Sequence, residues 1–398
     1  MEMSELAALL TREGLALLED TGALESRDDV ARAVSRLRAD GHSSELVSAV
    51  VGQASLRARA AVKFGEFAQR MLFTRAGLEQ ATRLKVAAQH AVRLRRAGMA
   101  AVSDLGCGIG GDSLAFAGAG IEVDAVDADE VTAAVAAYNL APFGEVASVR
   151  QGLAEDCLPE PPRASHAVWL DPARRTAGHS ETRRTAASDW SPPLDWCFEV
   201  AGQRPTGIKL GPGLDRDLIP GDVEAQWVSA DGDVVELVLW SGALAREGVR
   251  RAALVMRDDV RHEITAPADA EDAPVRELGA FLHEPDGAVI RARLIGEAAR
   301  MLDAGMLDEQ IAYLTGDAAV TSPFVQSFRV RETMPAHVKT INAALRANDI
   351  GRLEIKKRGM DIDPAAFRKK LNLRGSQAAT LVLTRSAAGR VAILADRV

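Results

Sequence analysis

The chain has 398 residues, of which 47% are hydrophobic and 26% charged, and its formal net charge is -8. This length is too great for one ordinary hydrophobic core and predicts two or three domains. No uninterrupted apolar run approaches the roughly 18 residues that span a bilayer, and the start lacks the basic flank of a signal peptide, so we expect a cytoplasmic protein without a membrane partner.

Cysteine and histidine usage argues against a disulfide framework and against a metal site. The three cysteines, Cys107, Cys157 and Cys197, lie far apart without a CxxC pair, and the seven histidines do not join them at metal-ligand spacing. We therefore expect no bound metal. No feature of the sequence indicates an oligomeric state.

Residues 1–98 have the patterns of a helical amino-terminal domain. Ser4 is placed to cap a leucine-rich run that stops near Gly22, and Asp28 begins a second run that stops at Gly41. Residues 78–97 then repeat apolar positions at helical spacing.

Residues 99–256 alternate short apolar strands with helical patterns, and this alternation predicts a parallel sheet. The strands read AAVSDL, IEVDAV, HAVWL and TGIKL. Two further strands, AQWVSAD and DVVELVLW, meet at Asp231-Gly232, a strong signal for a tight hairpin. We expect an α/β fold whose sheet ends in an antiparallel pair.

A glycine-rich turn after the first strand indicates a nucleoside-cofactor site, because the missing side chains let backbone amides approach a ligand. The turn contains Gly106, Gly108 and Gly110, and Asp127 ends the next strand, where its carboxylate is placed to accept ribose hydroxyls. Asp104 precedes the first glycine. Its charge would repel the pyrophosphate of NAD, the alternative ligand, but would pair with the ammonium group of S-adenosylmethionine.

This D-x-G-x-G-x-G run resembles the first motif of class I S-adenosylmethionine-dependent methyltransferases, whose Rossmann-like sheet also ends in an antiparallel hairpin. In that fold an acid near the adenine amino group follows the third strand. Glu155 and Asp156 occupy the corresponding place in this sequence, and Asp156 is the favoured candidate.

The fourth strand, HAVWL, should deliver the segment DPARR to the carboxyl edge of the sheet, where ligands bind. Its tetrapeptide resembles the D/N-P-P-Y/F/W/R motif of methyltransferases that act on exocyclic amino groups, which implies that Asp171, stiffened by Pro172, accepts a hydrogen bond from the amine. The sequence departs from the motif at Ala173 and Arg174. Arg174 and Arg175 are suited to stacking on a base or binding a phosphate. Lys209, in the fifth strand, is interpreted as a cation that flanks the core, and a catalytic role stays open as the alternative.

Basic charge is concentrated at the carboxyl end, where residues 339–398 carry 13 Lys and Arg against 5 Asp and Glu. We expect residues 257–335 to form a linker or docking segment with an amphipathic helical stretch at 288–314. We expect residues 336–398 to form a small α+β module with a helix around 341–347, a strand in RLEIKKRG, a helix that Asp363 caps and Pro364 begins, and two strands around 386–389. The charges favour RNA as the partner, and the scarcity of aromatic residues favours recognition by backbone and shape. The predicted RNA-binding residues of this module are Lys356, Lys357, Arg358, Arg368, Lys369, Lys370 and Arg374.

Over nearly its full length, including FTRAGLEQATRLKVA, DPARR, EPDGAVIRA and LEIKKRG, the sequence resembles a bacterial family of methyltransferases with a carboxyl-terminal THUMP-like domain. The resemblance implies methyl transfer to an exocyclic amine of structured RNA, commonly transfer RNA, and the catalytic half also resembles guanine-N2 enzymes. Two alternatives stay open: a non-catalytic RNA-binding protein on this scaffold, and a methyltransferase of DNA or protein.

Overall fold

The computed structural model describes residues 1–174, 190–258, 260–386 and 389–398. The chain divides into two compact units. The first unit contains Met1–Leu210, Pro220–Val223 and Leu239–Arg246, and the second contains Gly211–Ile219, Glu224–Val238 and Glu247–Val398. The division of the chain into four segments at residues 98, 256 and 335 stays a prediction.

The first unit begins with helices, as the amino-terminal patterns predict. The single run expected between Ser4 and Gly22 is two helices, because Thr11 breaks it and caps the second one through the Gly14 amide at 3.0 Å. The predicted stretch 78–97 is likewise interrupted, at Ala81. The helices are α1 (Met3–Leu9), α2 (Arg12–Thr21), α3 (Arg27–Ala39), α4 (Ser44–Phe64), α5 (Arg75–Gln80) and α6 (Leu84–Arg96).

The first unit continues with five parallel strands in the order β3-β2-β1-β4-β7, which confirms the predicted α/β architecture. Strands β1, β4 and β7 are almost wholly buried, as expected for strands covered on both faces. The elements are β1 (Ala101–Leu105), α7 (Gly111–Gly118), β2 (Glu122–Asp127), α8 (Glu130–Leu140), β3 (Ala147–Gln151), β4 (His166–Leu170), β5 (Ala173–Arg174), β6 (Trp190–Ser191), α9 (Leu194–Gln203) and β7 (Thr206–Leu210).

The predicted hairpin is present between β8 (Glu224–Ala230) and β9 (Asp233–Trp240). Asp231 and Gly232 both have positive φ, 55° and 91°, as the tight hairpin turn requires. The sheet extends beyond the predicted end at residue 256. β10 (Arg251–Arg257) runs parallel to β8, and β11 (Val260–Ala266) is antiparallel to β10.

The second unit also holds a seven-stranded sheet in the order β13-β14-β12-β15-β18-β17-β16. The predicted helical stretch at 288–314 is confirmed in its first half and wrong in its second: two short helices lie at Gly287–Arg291 and Ile295–Leu302, each followed by a residue with positive φ, Arg293 and Asp303, and two strands come next. The predicted linker is therefore folded and supplies four of the seven strands. The elements are β12 (Phe281–Pro285), α10 (Gly287–Arg291), α11 (Ile295–Leu302), β13 (Gly305–Asp308), β14 (Ile311–Gly316) and β15 (Val325–Pro335).

The carboxyl-terminal elements follow the prediction closely. Asp363 caps a helix by accepting hydrogen bonds from the Ala365 and Ala366 amides at 3.0 and 3.2 Å. Ile341, Leu353 and Phe367 pack in a core on one face of the sheet. The elements are α12 (Val338–Ala347), β16 (Ile350–Lys357), α13 (Pro364–Arg368), β17 (Gln377–Ser386) and β18 (Gly389–Arg397).

Candidate active site

The glycine-rich turn joins β1 to α7 through a backbone that side chains would disturb. Gly106, Gly108 and Gly110 have φ values of 100°, 56° and 85°. A Cβ on Gly106 would lie 3.2 Å from the backbone oxygen of Asp171. The turn is therefore lined by bare backbone and lies directly beside the segment that follows β4.

We expect Gly106→Ala to lower the free energy of unfolding by about 2 kcal/mol, because an alanine adopts this φ only under strain and its Cβ would contact Asp171. Urea denaturation measures the change. Gly118→Ala is the matched control: Gly118 ends α7 without a positive φ, and nothing lies within 4 Å of its Cβ position. Equal stability of the Gly106 variant and the wild type would contradict the assigned strain.

Asp127, at the end of β2, braces the glycine-rich turn. One carboxylate oxygen accepts a hydrogen bond from the Gly108 amide at 3.0 Å, and the other accepts one from the Asp129 amide at 2.9 Å. Burial raises the pKa of Asp127 above its usual range. An ionised carboxylate has about four acceptor positions, so these two bonds leave capacity for the ribose hydroxyls that the sequence predicts as its ligands.

Asp104 is the buried acid of the turn, with a residue exposure of 1%. Its Oδ2 accepts a hydrogen bond from the Ser113 hydroxyl at 2.5 Å, whereas its Oδ1 is buried without a partner. Burial raises the pKa of Asp104 to about 8, and the neighbouring Asp112 charge adds to the shift. An unpaired buried oxygen beside a bare-backbone turn fits a ligand that brings an ammonium group, as S-adenosylmethionine does.

Other predicted site residues lie near the ends of β3 and β4. Asp156 is exposed on the short 3-10 helix Ala154–Asp156 after β3, and its contact with adenine stays a prediction. Pro172 is buried. The backbone of Ala173–Arg174 pairs with Trp190–Ser191, and Arg175 lies outside the described residues.

Asp171 extends from the end of β4, and its side chain is 38% exposed. Its Oδ2 lies 2.6 Å from the ammonium nitrogen of Lys209, near the end of β7. The carboxylate predicted to receive the methyl acceptor is thus held by a cation from the neighbouring parallel strand. The sequence interpretation of Lys209 as a cation beside the core missed this contact, although a lysine at the carboxyl end of an apolar strand was a signal for it.

Lys209 belongs to a buried polar cluster that consists of Thr82, His90, Asp112 and Lys209. The Lys209 ammonium donates hydrogen bonds to Thr82 Oγ1 at 2.7 Å and to Asp112 Oδ2 at 3.1 Å, and His90 Nδ1 donates to Asp112 Oδ1 at 2.7 Å. Burial favours a raised pKa for Asp112, but Lys209 and His90 outweigh it and hold that pKa below its usual range. Asp112 therefore remains a carboxylate inside the core.

The seven basic residues predicted in the carboxyl-terminal module have two different environments. Lys356 lies 2.6 Å from Glu284, and Arg358 donates to the Ala312 carbonyl at 3.0 Å and lies over the Tyr313 ring, so both are half-buried in structural contacts. We call the remaining five the exposed basic surface: Lys357, Arg368, Lys369, Lys370 and Arg374.

Two further features to consider are membrane-spanning helices and metal sites. Among the residues that the structure describes, no helix is long and apolar enough to cross a membrane. In the same residues, no three or more His, Cys, Asp or Glu side chains come together in a group that could hold a metal ion.

Family comparisons match both ends of the chain. The model described as THUMP domain-like matches residues 325–397, and the model of a domain of unknown function (DUF8688) matches residues 2–60. The THUMP-like match begins before the predicted start at residue 336 because it includes β15, which pairs with β18.

Curated relatives cover most of the chain. An uncharacterized S-adenosylmethionine-dependent methyltransferase of Mycobacterium tuberculosis strain CDC 1551 is 35% identical over 344 residues, which are 84% of this chain and 91% of the relative. Its counterpart in strain H37Rv matches to the same extent. A crystal structure from Porphyromonas gingivalis W83, described as a candidate methyltransferase, covers 94% of this chain and 99% of its own with a TM-score of 0.72 and 19% identity, and so shares the fold.

The length and identity of the match to the curated relatives confirm the predicted cofactor and enzyme class, and they decide against the non-catalytic alternative. The chain belongs to the S-adenosylmethionine-dependent methyltransferases and carries a THUMP-like domain at its carboxyl end.

Proposed function

We propose that the enzyme transfers a methyl group to an exocyclic amino nitrogen of a base in structured RNA, with guanine N2 in transfer RNA as the first candidate. One observation carries the proposal. The backbone of Asp171, in the DPAR segment, lies within contact distance of the cofactor turn at Gly106, and a buried lysine holds the Asp171 carboxylate.

Three acidic residues and the glycines of the turn would hold different parts of the cofactor. Asp104 would bind the ammonium group, Asp127 the ribose hydroxyls and Asp156 the adenine amino group, while the glycines admit the ligand to the backbone. S-adenosylmethionine supplies an electrophilic methyl group on a sulfonium. Asp171 accepts a hydrogen bond from the exocyclic amine and directs its lone pair toward that methyl group, and Pro172 restricts the segment.

Bound S-adenosylmethionine would supply the methyl group and, as a neutral thioether, the leaving group that keeps the electron pair, while Asp171 would hold the amine nitrogen in line for the new nitrogen–carbon bond. The nitrogen then loses one proton, which the adjacent Asp171 carboxylate is positioned to receive and pass to solvent. Most of the rate enhancement would come from alignment of the reacting atoms, because the sulfonium is already a good leaving group.

Two features support RNA as the acceptor. The THUMP-like match covers residues 325–397, and the exposed basic surface lies within it. The acidic remainder of the chain would be repelled by phosphate, so a nucleic acid should dock on this module.

The direct test is nucleoside mass spectrometry on total small RNA from cells that lack the gene. We expect one methylated nucleoside to be missing, and to reappear after incubation of that RNA with purified protein and S-adenosylmethionine. An unchanged nucleoside profile in both comparisons would contradict the proposal and direct the search to DNA and protein acceptors.

The second prediction is that the exposed basic surface binds the phosphates of RNA. We expect the triple variant Lys369→Gln, Lys370→Gln and Arg374→Gln to bind small RNA about tenfold more weakly, and the slope of log affinity against log salt to fall by about 2 to 3. Filter binding at several salt concentrations measures both quantities.

A matched variant controls for the change in net charge. Arg12→Gln, Arg27→Gln and Arg38→Gln remove three equally exposed cations from the amino-terminal helices, and we expect RNA affinity to stay within about twofold of the wild type. Equal loss in the two triple variants would show that only overall charge matters.

A further inference from the structure

One ammonium group connects the buried polar cluster to the proposed catalytic carboxylate. Lys209 is 8% exposed as a residue, and its nitrogen lies within 3.1 Å of oxygen atoms on Asp171, Asp112 and Thr82. Burying an ammonium costs several kcal/mol unless hydrogen bonds and an opposite charge compensate it. These acceptors therefore fix the Lys209 nitrogen in one place.

We propose that Lys209 is a positioning residue for methyl transfer, which holds the Asp171 carboxylate from the buried side in the one orientation that receives the acceptor amine. This inference rests on the proposed role of Asp171. Lys209 would contact neither the methyl acceptor nor the cofactor. It acts through Asp171, whose Oδ2 lies 2.6 Å from the Lys209 nitrogen.

Contacts with α6 and β4 hold Asp112, the buried partner of Lys209, in place. His90 holds the far oxygen of Asp112, and its ring packs 4.5 Å from that of Trp169, in the strand that ends just before Asp171. Trp169 is 1% exposed and belongs to the core, as its place within the strand predicts. The series of contacts therefore runs from Trp169 of β4 through His90, Asp112 and Lys209 to Asp171, which directly follows β4. A displacement of the Asp171 carboxylate by about 1 Å would lower the rate of methyl transfer on the order of 100-fold.

A purely structural role for Lys209, neutralising Asp112, makes different predictions. Lys209→Met alone would leave the buried Asp112 charge with only His90 and Thr82 as partners, which is destabilising. The double variant Lys209→Met with Asp112→Asn removes both charges and retains a similar volume. If Lys209 serves only Asp112, this double variant regains both stability and activity.

We expect the double variant to fold, with kcat lowered about 30- to 100-fold and the dissociation constant for S-adenosylmethionine within about threefold of the wild type. Thermal unfolding and isothermal titration calorimetry establish folding and cofactor binding, and methylation of the small RNA pool gives kcat. A folded double variant with wild-type kcat would overturn the inference.

A second readout needs no activity. NMR titration of ¹³C-labelled aspartate carboxyl groups, assigned with Asp171→Asn, follows the protonation of Asp171 directly. Charged and titratable groups near this carboxylate are Lys209 on β7, Asp112 on α7, His90 on α6, Asp104 on β1 and Asp127 on β2. Because the Lys209 ammonium lies 2.6 Å from Asp171 Oδ2 and favours the charged carboxylate, we expect the pKa of Asp171 to rise by about one unit in the double variant.

The two readouts separate the two proposals. If the wild type methylates no RNA, the proposed function fails, whereas the NMR titration still decides whether Lys209 controls Asp171. An unchanged Asp171 pKa in the folded double variant would overturn the inference even when methylation of RNA is confirmed.

Discussion

Asp171→Ala should lower kcat for methyl transfer by more than about 10³-fold and leave the dissociation constant for S-adenosylmethionine within about threefold of the wild type. In the proposed mechanism the substitution removes the acceptor for the amine hydrogen bond and for the departing proton, both of which operate only with the methyl acceptor bound. The cofactor turn keeps its backbone, because only the Asp171 side chain changes and its carbonyl remains beside Gly106.

The fold should tolerate this substitution. Lys209 loses one carboxylate but keeps Asp112 and Thr82, so its buried charge remains compensated. Single-turnover methylation of the small RNA pool measures the rate, calorimetry measures cofactor affinity, and thermal unfolding verifies the fold.

Two further variants define what Asp171 contributes. Asp171→Asn retains an oxygen acceptor but loses the charge that pairs with Lys209, and we expect an intermediate loss of about 10- to 100-fold in kcat. Glu199→Ala removes an exposed carboxylate from α9 and should keep wild-type kcat. Methylation by Asp171→Ala at the wild-type rate would rule out Asp171 as the residue that receives the amine.

The parts of this molecule that the sequence predicts are those encoded by neighbouring residues. The turn from β1 to α7, the Asp231-Gly232 hairpin and the Asp363 cap each depend on a few consecutive residues whose backbone preferences are specific. The helix α4 was not predicted as a separate element, although Val47, Val50 and Val51 are buried and stand at the i, i+3 and i+4 spacing of an amphipathic helix.

The buried polar cluster could not be predicted from local patterns. Asp112 lies 22 residues from His90 and 97 from Lys209, and Thr82 lies 127 residues from Lys209. Only the pairing of β7 with β4, and the packing of α6 and α7 in the first unit, bring these side chains together. The error within the stretch 288–314 is local by contrast, since β13 and β14 are consecutive strands that pair with each other.

Asp104→Asn should weaken the binding of S-adenosylmethionine by about 100-fold, since the variant loses a charge-assisted hydrogen bond to the ammonium group.

Without the cofactor the same variant should be more stable than the wild type at pH 8. A carboxyl whose pKa is about 8 when folded and near 4 when unfolded stabilises the fold below pH 4 and loses that contribution as pH rises toward 8. Asparagine carries no such penalty, so the stability difference between variant and wild type should widen from pH 5 to pH 8.

The pH dependence and the affinity together identify what the buried acid does. At pH 7 the cofactor-free wild type holds a proton on Asp104 and should release it when the ammonium group binds, so the calorimetric binding enthalpy should vary with the ionisation enthalpy of the buffer. The Asp104→Asn enthalpy should vary less. Asp124→Asn makes the same chemical change on β2, at a partly exposed residue paired with Arg150, and should alter cofactor affinity by less than about threefold. Wild-type affinity in Asp104→Asn would show that the unpaired oxygen of Asp104 does not contact the ammonium group, and the cofactor would then be held by the backbone of the turn, Asp127 and Asp156.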